Sequence, residues 1–243
     1  MTRSEAKPSR AAVEAPDSSA RNDESVRVRV DGVDVDVPAG ATVLDAARAA
    51  GRWVPTLCYD ERQDPFGACR VCLVGSSQAS AGDDGARAVI PACTTLCTDD
   101  MAIHTEDPRA RRVATAVVEL VLSELPVPPP DESELAEIAA RLEVGEPRWP
   151  GEVHPARPAD DRHPYLTFRH DLCISCGRCV RACDEVQGTF ALSATGRGFE
   201  ANIAAGLDQG FRESACVSCG ACADTCPTEA ISEPTLIALT DGG

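Results

Sequence analysis

The 243-residue chain has few aromatic side chains (five Phe, two Trp, two Tyr), and its 43% hydrophobic content leans on Ala and Val rather than Leu and Phe. Small side chains bury little apolar area each, so small domains built this way need staples of another kind. Long apolar runs are also missing: nothing approaches the ~18 consecutive residues of a membrane span. Residues 1–25 contain neither an apolar stretch nor the paired arginines of an export signal. The expected compartment is therefore the cytoplasm, where thiols stay reduced. Positive charge is scarce, with 23 Lys and Arg against 39 Asp and Glu and a net charge of −16. That balance argues against a nucleic-acid partner, whose phosphates need a basic face. It suits either solubility or steering toward a basic patch on a protein partner. No nucleophile elbow, phosphate loop or paired-carboxylate site is visible, so no catalytic residue is assigned. Gly196-Arg197-Gly198 is too short for a dinucleotide fingerprint and reads as a turn. His104, His154, His163 and His170 are scattered and read as surface or structural residues.

What the chain has is cysteine, thirteen in all, an odd number that a pure disulfide framework would leave unpaired. Their setting is an α+β pattern. Residues 1–25 are expected to be a disordered tail. The alternating VRVRV (26–30) and VDVDV (33–37) flank the turn signal Asp31-Gly32. Thr42 is placed to cap a helix from Val43 to about Ala50, with Asp45 in the capping-box position. Further strands are expected near Arg70–Val74 and Ala102–His104. Hairpin, helix and cysteine-bearing loop follow the ubiquitin-like β-grasp order. Asp107-Pro108 opens a second helix with an apolar stripe of Val113, Val117, Val118, Leu120, Val121 and Leu125, ended by Pro126. Asp131 restarts a shorter one through Leu135, Ile138 and Leu142. The division expected is a domain at 26–105, a helical and Pro-rich linker at 106–164, a second domain at 165–234 and a tail at 235–243.

The second domain contains a repeat. Cys173, Cys176, Cys179 and Cys183 have the same C-x2-C-x2-C-x3-C spacing as Cys216, Cys219, Cys222 and Cys226, and Pro227 follows the latter. This is the bacterial two-cluster ferredoxin run, in which the fourth cysteine of each quartet ligates the other cluster. Three closely spaced thiolates wrap one face of a cubane, and the fourth ligand must come from the opposite side. One 4Fe–4S cluster would then take Cys173, Cys176, Cys179 and Cys226, the other Cys183, Cys216, Cys219 and Cys222. Gly177 and Gly220 sit where each loop turns tightly. A pair of zinc sites is the alternative, and three cysteines in seven residues fit it poorly.

The remaining group, Cys58, Cys69, Cys72 and Cys93, lacks the plant-type gap. Its contexts, Pro55-Thr56-Leu57-Cys58-Tyr59, Gly67-Ala68-Cys69-Arg70-Val71-Cys72-Leu73-Val74 and Pro91-Ala92-Cys93-Thr94, resemble the 2Fe–2S domain of the NADH dehydrogenase large subunit. Formate dehydrogenases and NAD-reducing hydrogenases carry the same domain. The resemblance implies one 2Fe–2S cluster on these four. Zinc is again the alternative. Cys97 is left as a spare buried thiol. Arg70, Arg178 and Arg181, beside these cysteines, suit either tuning of cluster potential or ordinary ion pairing.

The stretch from Asp171 to Phe190, with Gly196-Arg197-Gly198-Phe199 and Cys216-Val217-Ser218-Cys219-Gly220-Ala221-Cys222, is similar to the ferredoxin segment of molybdenum- or tungsten-dependent formate dehydrogenase alpha subunits. That likeness extends over roughly residues 26–234 and implies an electron-transfer subunit serving a separate molybdopterin catalytic subunit, with a flavin/NAD subunit or other acceptor. Freestanding carrier and hydrogenase diaphorase subunit are the alternatives. Two departures are expected. No cysteine lies between Cys97 and Cys173, so the further cluster that many relatives bind through one His and three Cys should be missing, and His154 and His163 cannot supply it. The pterin domain that follows in the formate enzymes is expected to be absent.

Overall fold

A computed structural model describes residues 25–78, 87–149, 151–153 and 157–234. Apart from Ser25, which opens the first strand, the expected tails lie outside the described residues, as does His154. Strands β1 (Ser25–Val30) and β2 (Val33–Pro38) pair antiparallel around Asp31-Gly32, both with positive φ, as a two-residue turn requires. Alternation sorts their faces. Val28, Val30 and Val37 go inside, while Arg27 faces Asp36 at 2.8 Å and Arg29 faces Asp34 at 2.7 Å on the wet side. Helix α1 (Val43–Ala49) starts at a complete Thr42/Asp45 capping box. Strands β3 (Leu73–Gln78), β4 (Ala88–Pro91) and β5 (Met101–His104) finish a mixed sheet of order β2-β1-β5-β3-β4, with β1 and β5 parallel. Val43, Leu44, Ala46 and Ala47 of α1 join the sheet's valines in the first core.

Three details differ from the sequence reading. The strand expected near Arg70–Val74 begins only at Leu73, because Arg70 takes a left-handed φ of 60° and the Cys69–Cys72 loop must curve. The second expected helix is α2 (Pro108–Glu124), capped by Asp107. It buries Ala110, Ala114 and Val118, with Val117, Val121 and Leu125 of the expected stripe packed against the same core, whereas Val113 and Leu120 are exposed. Alanines let α2 approach β3 closely, so the buried face is shifted toward them from a stripe chosen by side-chain size alone. The third helix, α3 (Glu134–Arg141), is capped by Ser133 rather than Asp131.

Helices α2 and α3 do more than connect. Ala114, Val118, Leu135, Ile138 and Leu142 form a core with Leu57 and Val71 of the first cysteine loops, and Ile174 of the second domain packs against it. This apolar brace grips the backbone next to Cys58, Cys69, Cys72 and Cys173.

In the C-terminal half, short helices α4 (Arg178–Arg181) and α5 (Ala221–Asp224) pack together, with the antiparallel pair of β6 (Thr167–Phe168) and β9 (Ile231–Ser232), from the two ends of this half, against α5, and the hairpin β7 (Leu192–Thr195) and β8 (Asn202–Ala205) against α4. Their core mixes Leu166, Phe168, Leu192, Ile203, Phe211 and Ile231 with Cys179, Cys183 and Cys222. Among the described residues, no helix is long and apolar enough to cross a membrane.

Candidate metal centres

The first site lies in the irregular segment between α1 and β3, completed by Cys93 just after β4. Cys58, Cys72 and Cys93 are buried and Cys69 half-buried. Gly67 allows the loop to close: its φ is positive, and a Cβ there would meet Thr94 Cγ2 at 2.8 Å. The four thiols stand as two pairs. Cys72 Sγ lies 3.3 Å from Cys93 Sγ, and Cys58 shares a hydrogen bond with Cys69. Within each pair one thiol is pushed up and the other down. The bond to Cys58 lowers Cys69 to about 5, and the bond to Cys72 lowers Cys93. The same bonds, with burial, raise Cys58 and Cys72. Metal binding must expel the thiol protons of each pair. Backbone N–H groups already aim at sulfur, Cys69 N–H at Cys58 Sγ (3.4 Å) and Val71 N–H at Cys69 Sγ (3.5 Å).

Cys97 joins no pair. It packs in the first core beside the sheet, and burial, with the nearby Asp45, pushes its thiol up to about 11. That is an inert, protonated thiol at neutral pH.

The two quartets build two small apolar cavities. One is lined by Cys173, Cys176, Cys179 and Cys226, with Ile174, Pro227 and Ile231. The other is lined by Cys183, Cys216, Cys219 and Cys222, with Leu166, Leu192 and Phe211. The structure therefore gathers the cysteines crosswise, three from one quartet and the last of the other. Each loop uses the same backbone device: Ser175 and Gly177, and again Ser218 and Gly220, take positive φ at equivalent places. Such alternation turns N–H groups inward, and Ser218 N–H reaches Cys216 Sγ at 3.4 Å. Burial pushes Cys176 and Cys222 up to about 12 and raises Cys173, Cys179 and Cys216, with neighbouring thiolates adding to the effect. Crowded buried thiolates are tolerable only around a strong positive centre, which deprotonates its thiol ligands outright. Among the described residues, no three His, Cys, Asp or Glu side chains converge on one point where a single ion would sit. Thiols framing a cavity suit a polynuclear cluster better than one zinc.

Both fourth cysteines carry a feature that spacing alone does not reveal. Cys183 Sγ accepts from Ala191 N–H (3.1 Å) and sits 3.1 Å from the Thr189 hydroxyl. Cys226 Sγ accepts from Ile231 N–H (3.5 Å) with Thr228 at 3.7 Å. Cys183 lies in a π-helical turn (Ala182–Val186) that widens the backbone at the site.

The described histidines join no quartet. His104 lies near Ser77 Oγ, His170 stacks on Phe168, and buried His163 contacts Ser218 Oγ. Arg70 is exposed, whereas Arg178 is buried and ion-paired and Arg181 bridges the two halves.

Residues 23–108 match the family model of the 2Fe-2S iron-sulfur cluster binding domain, and residues 172–230 that of the 4Fe-4S dicluster domain. The chain is 32% identical over 184 residues to an NADH-quinone oxidoreductase subunit of Rhizobium meliloti (strain 1021), covering 73% of this chain and 21% of that one. It is 33% identical over 217 residues to the NADP-reducing hydrogenase subunit HndD of Solidesulfovibrio fructosivorans, covering 85% and 36%. It thus spans between a fifth and about a third of these curated relatives. A chain in the crystal structure of an NAD+-reducing NiFe hydrogenase in the H2-reduced state superposes with a TM-score of 0.74 at 25% identity, covering 87% of this chain and 88% of that one. The protein carries one 2Fe–2S and two 4Fe–4S clusters, in domains related to those of NADH-quinone oxidoreductases and NAD(P)-reducing hydrogenases.

Proposed function

We propose that this chain is the iron–sulfur electron-transfer subunit of a multi-subunit cytoplasmic oxidoreductase, passing single electrons between a catalytic subunit and a flavin/NAD subunit, with no substrate site of its own. The observation that carries the reading is the superposition on a hydrogenase chain over nearly the full length of both. It favours the diaphorase-side subunit of an NAD-linked hydrogenase. A second reading, a formate dehydrogenase-like complex with a molybdopterin catalytic subunit, rests on the stretch from Asp171 to Phe190.

The five-stranded sheet with α1 across it is a β-grasp, and the C-terminal half is a bacterial-type two-cluster ferredoxin. The proposed boundaries are 26–105 and 165–234, with 106–164 bracing both. The 2Fe–2S cluster would be held by Cys58, Cys69, Cys72 and Cys93, whose thiols stand as two pairs. One 4Fe–4S cluster would be held by Cys173, Cys176, Cys179 and Cys226, the other by Cys183, Cys216, Cys219 and Cys222. The clusters supply the redox chemistry. The protein excludes water with Ile174, Leu166, Phe211 and Ile231, and sets potentials through backbone N–H and Thr hydroxyl bonds to sulfur.

Anaerobic affinity capture of the chain from its host, read for bound proteins, nickel, molybdenum, tungsten and flavin, tests the assignment. Capture of a nickel- or molybdopterin-bearing subunit, with cluster absorbance bleached by H2 or formate respectively, is expected. Recovery of the chain alone, bleached by neither gas, formate nor NADH, would make it a freestanding carrier.

A further inference from the structure

The two cysteine-rich halves meet along a polar seam between the loop after Cys58 and the helices α4 and α5. Thr225, fully buried, donates its hydroxyl to Asp60 Oδ2 at 2.8 Å. Gln63 Nε2 donates to the Arg178 carbonyl at 3.0 Å, and Asp64 N–H donates to Glu185 Oε2 at 2.8 Å. Arg178, also buried, reaches Thr225 Oγ1 and both Glu134 carboxylate oxygens.

Arg181 goes further than these contacts, because it touches a proposed ligand. Its Nη2 donates to the main-chain carbonyl of Cys58 at 2.8 Å, while Nη1 donates to the Asp64 carbonyl and pairs with Glu185 at 3.9 Å. The ring of Phe66 lies 5.0 Å from its guanidinium carbon. In sequence Arg181 stands two residues from Cys179 and two from Cys183, which serve different four-iron clusters in the proposed assignment. One side chain therefore ties the ligand loop of the two-iron cluster to α4 and the π-helical turn after it, which would supply ligands to both others. Fold stability alone does not account for an arginine here: its Nε is buried and meets no acceptor among the described residues, which is a cost. Electron tunnelling weakens exponentially with separation, so a clamp that holds two ligand loops at fixed distance governs exchange between their clusters.

We propose that Arg181 is a positioning residue for electron exchange between the 2Fe–2S cluster and the 4Fe–4S pair, holding the Cys58 loop against α4. The inference rests on the ligand sets proposed above. One electron crosses, so the donor cluster gains one unit of positive charge and the recipient loses one.

The test uses the full chain, prepared anaerobically and fully reduced, with the microwave power needed to saturate the two-iron EPR signal as readout. Paramagnetic four-iron clusters held close by speed that signal's relaxation. Arg181→Gln is expected to keep its iron but lose the relaxation enhancement, and Arg181→Lys, which retains a charged donor for the Cys58 carbonyl, to recover it. An Arg181→Gln protein with full iron, a lowered melting temperature and unchanged saturation would overturn the proposal and leave Arg181 a purely structural residue. Should Arg181→Gln fail to fold, Glu185→Gln loosens the same seam more gently. A partial loss of enhancement supports the proposal and none overturns it. A wild-type chain without a two-iron signal would instead overturn the ligand assignment, before any variant is compared.

Discussion

Cys72, just before β3, and Cys93, just after β4, flank the open end of the β3–β4 hairpin and hold their sulfurs 3.3 Å apart. Cys97, four residues further on, lies in the same core, but the close sulfur contact is between Cys72 and Cys93. Cys93→Ser is therefore expected to abolish the two-iron EPR signal and leave about eight of ten irons, the sum for two remaining 4Fe–4S clusters. Cys97→Ser should keep all ten and lose roughly 1–3 kcal/mol of stability for burying a hydroxyl in an apolar core. Iron analysis with EPR on both variants checks this, and the reverse pattern would reassign the fourth ligand.

Cys183 sits 3.1 Å from the Thr189 hydroxyl. A hydrogen bond to ligand sulfur stabilises the more negative, reduced cluster, so Thr189→Val should lower one four-iron potential. A bond worth ~0.5–1.5 kcal/mol corresponds to about 20–60 mV for one electron, taking 59 mV per tenfold change. Thr228→Val, at 3.7 Å from Cys226, should shift the other cluster by less. Redox-titrated EPR resolves the two; equal shifts in both clusters would contradict the crosswise assignment.

Arg178 is 4% exposed between Asp60 and Glu134. Arg178→Met strands the buried Asp60 with fewer partners, and removing one member of a buried pair costs about 3–5 kcal/mol. Part of that is recovered here because Arg62 still bonds Asp60 at 3.0 Å. Thr225→Val should cost less, roughly 1–3 kcal/mol. Melting of the cluster-loaded variants checks the order, and an unshifted Arg178→Met midpoint would mean that the seam does not hold the halves together.

Asp107 caps α2. Burial pushes its carboxyl up, but the Arg109 side chain and the N–H groups of Arg109 and Ala110 outweigh it, so its pKa lies below the ordinary value. A depressed carboxylate contributes stability that is fully present above its unfolded pKa of ~3.9 and lost as pH falls through the folded value. Asp107→Asn retains a cap but not the charge. The melting-temperature gap between wild type and this variant should be widest near pH 7 and close as pH falls below about 4. A gap that is constant with pH would rule out the carboxylate's charge as its source.

Much of this was legible in the residues. The Asp31-Gly32 hairpin, the Thr42 cap and the Asp107-Pro108 start are local signals, and local physics decides them. Both cysteine quartets carry their geometry in their spacing, because a cubane dictates where three thiolates of one loop fall. The part played by Ala110 and Ala114 in the buried face of α2 was not legible, since they are chosen by how closely β3 approaches and not by their size. Neither was the role of 106–164, whose Pro-rich composition reads as a linker while Leu135 and Ile138 grip the Leu57 and Val71 loops. Gln63 and Asp60 lie more than a hundred residues from Arg178, as Cys58 and Asp64 do from Arg181, and nothing in a single sequence pairs them. Thr189 and Thr228 stand at different offsets after their cysteines, so the repeat itself conceals their common task.

The central claim is that one chain holds three clusters and passes single electrons among them. Its most direct test is a reductive titration of the anaerobically purified chain, with iron and sulfide analysis and EPR at each potential. The account predicts about ten irons with an equal number of sulfides, and three one-electron signals, one of two-iron and two of four-iron type. A chain that binds zinc in place of iron, or shows fewer than three redox-active centres when fully loaded, would contradict it.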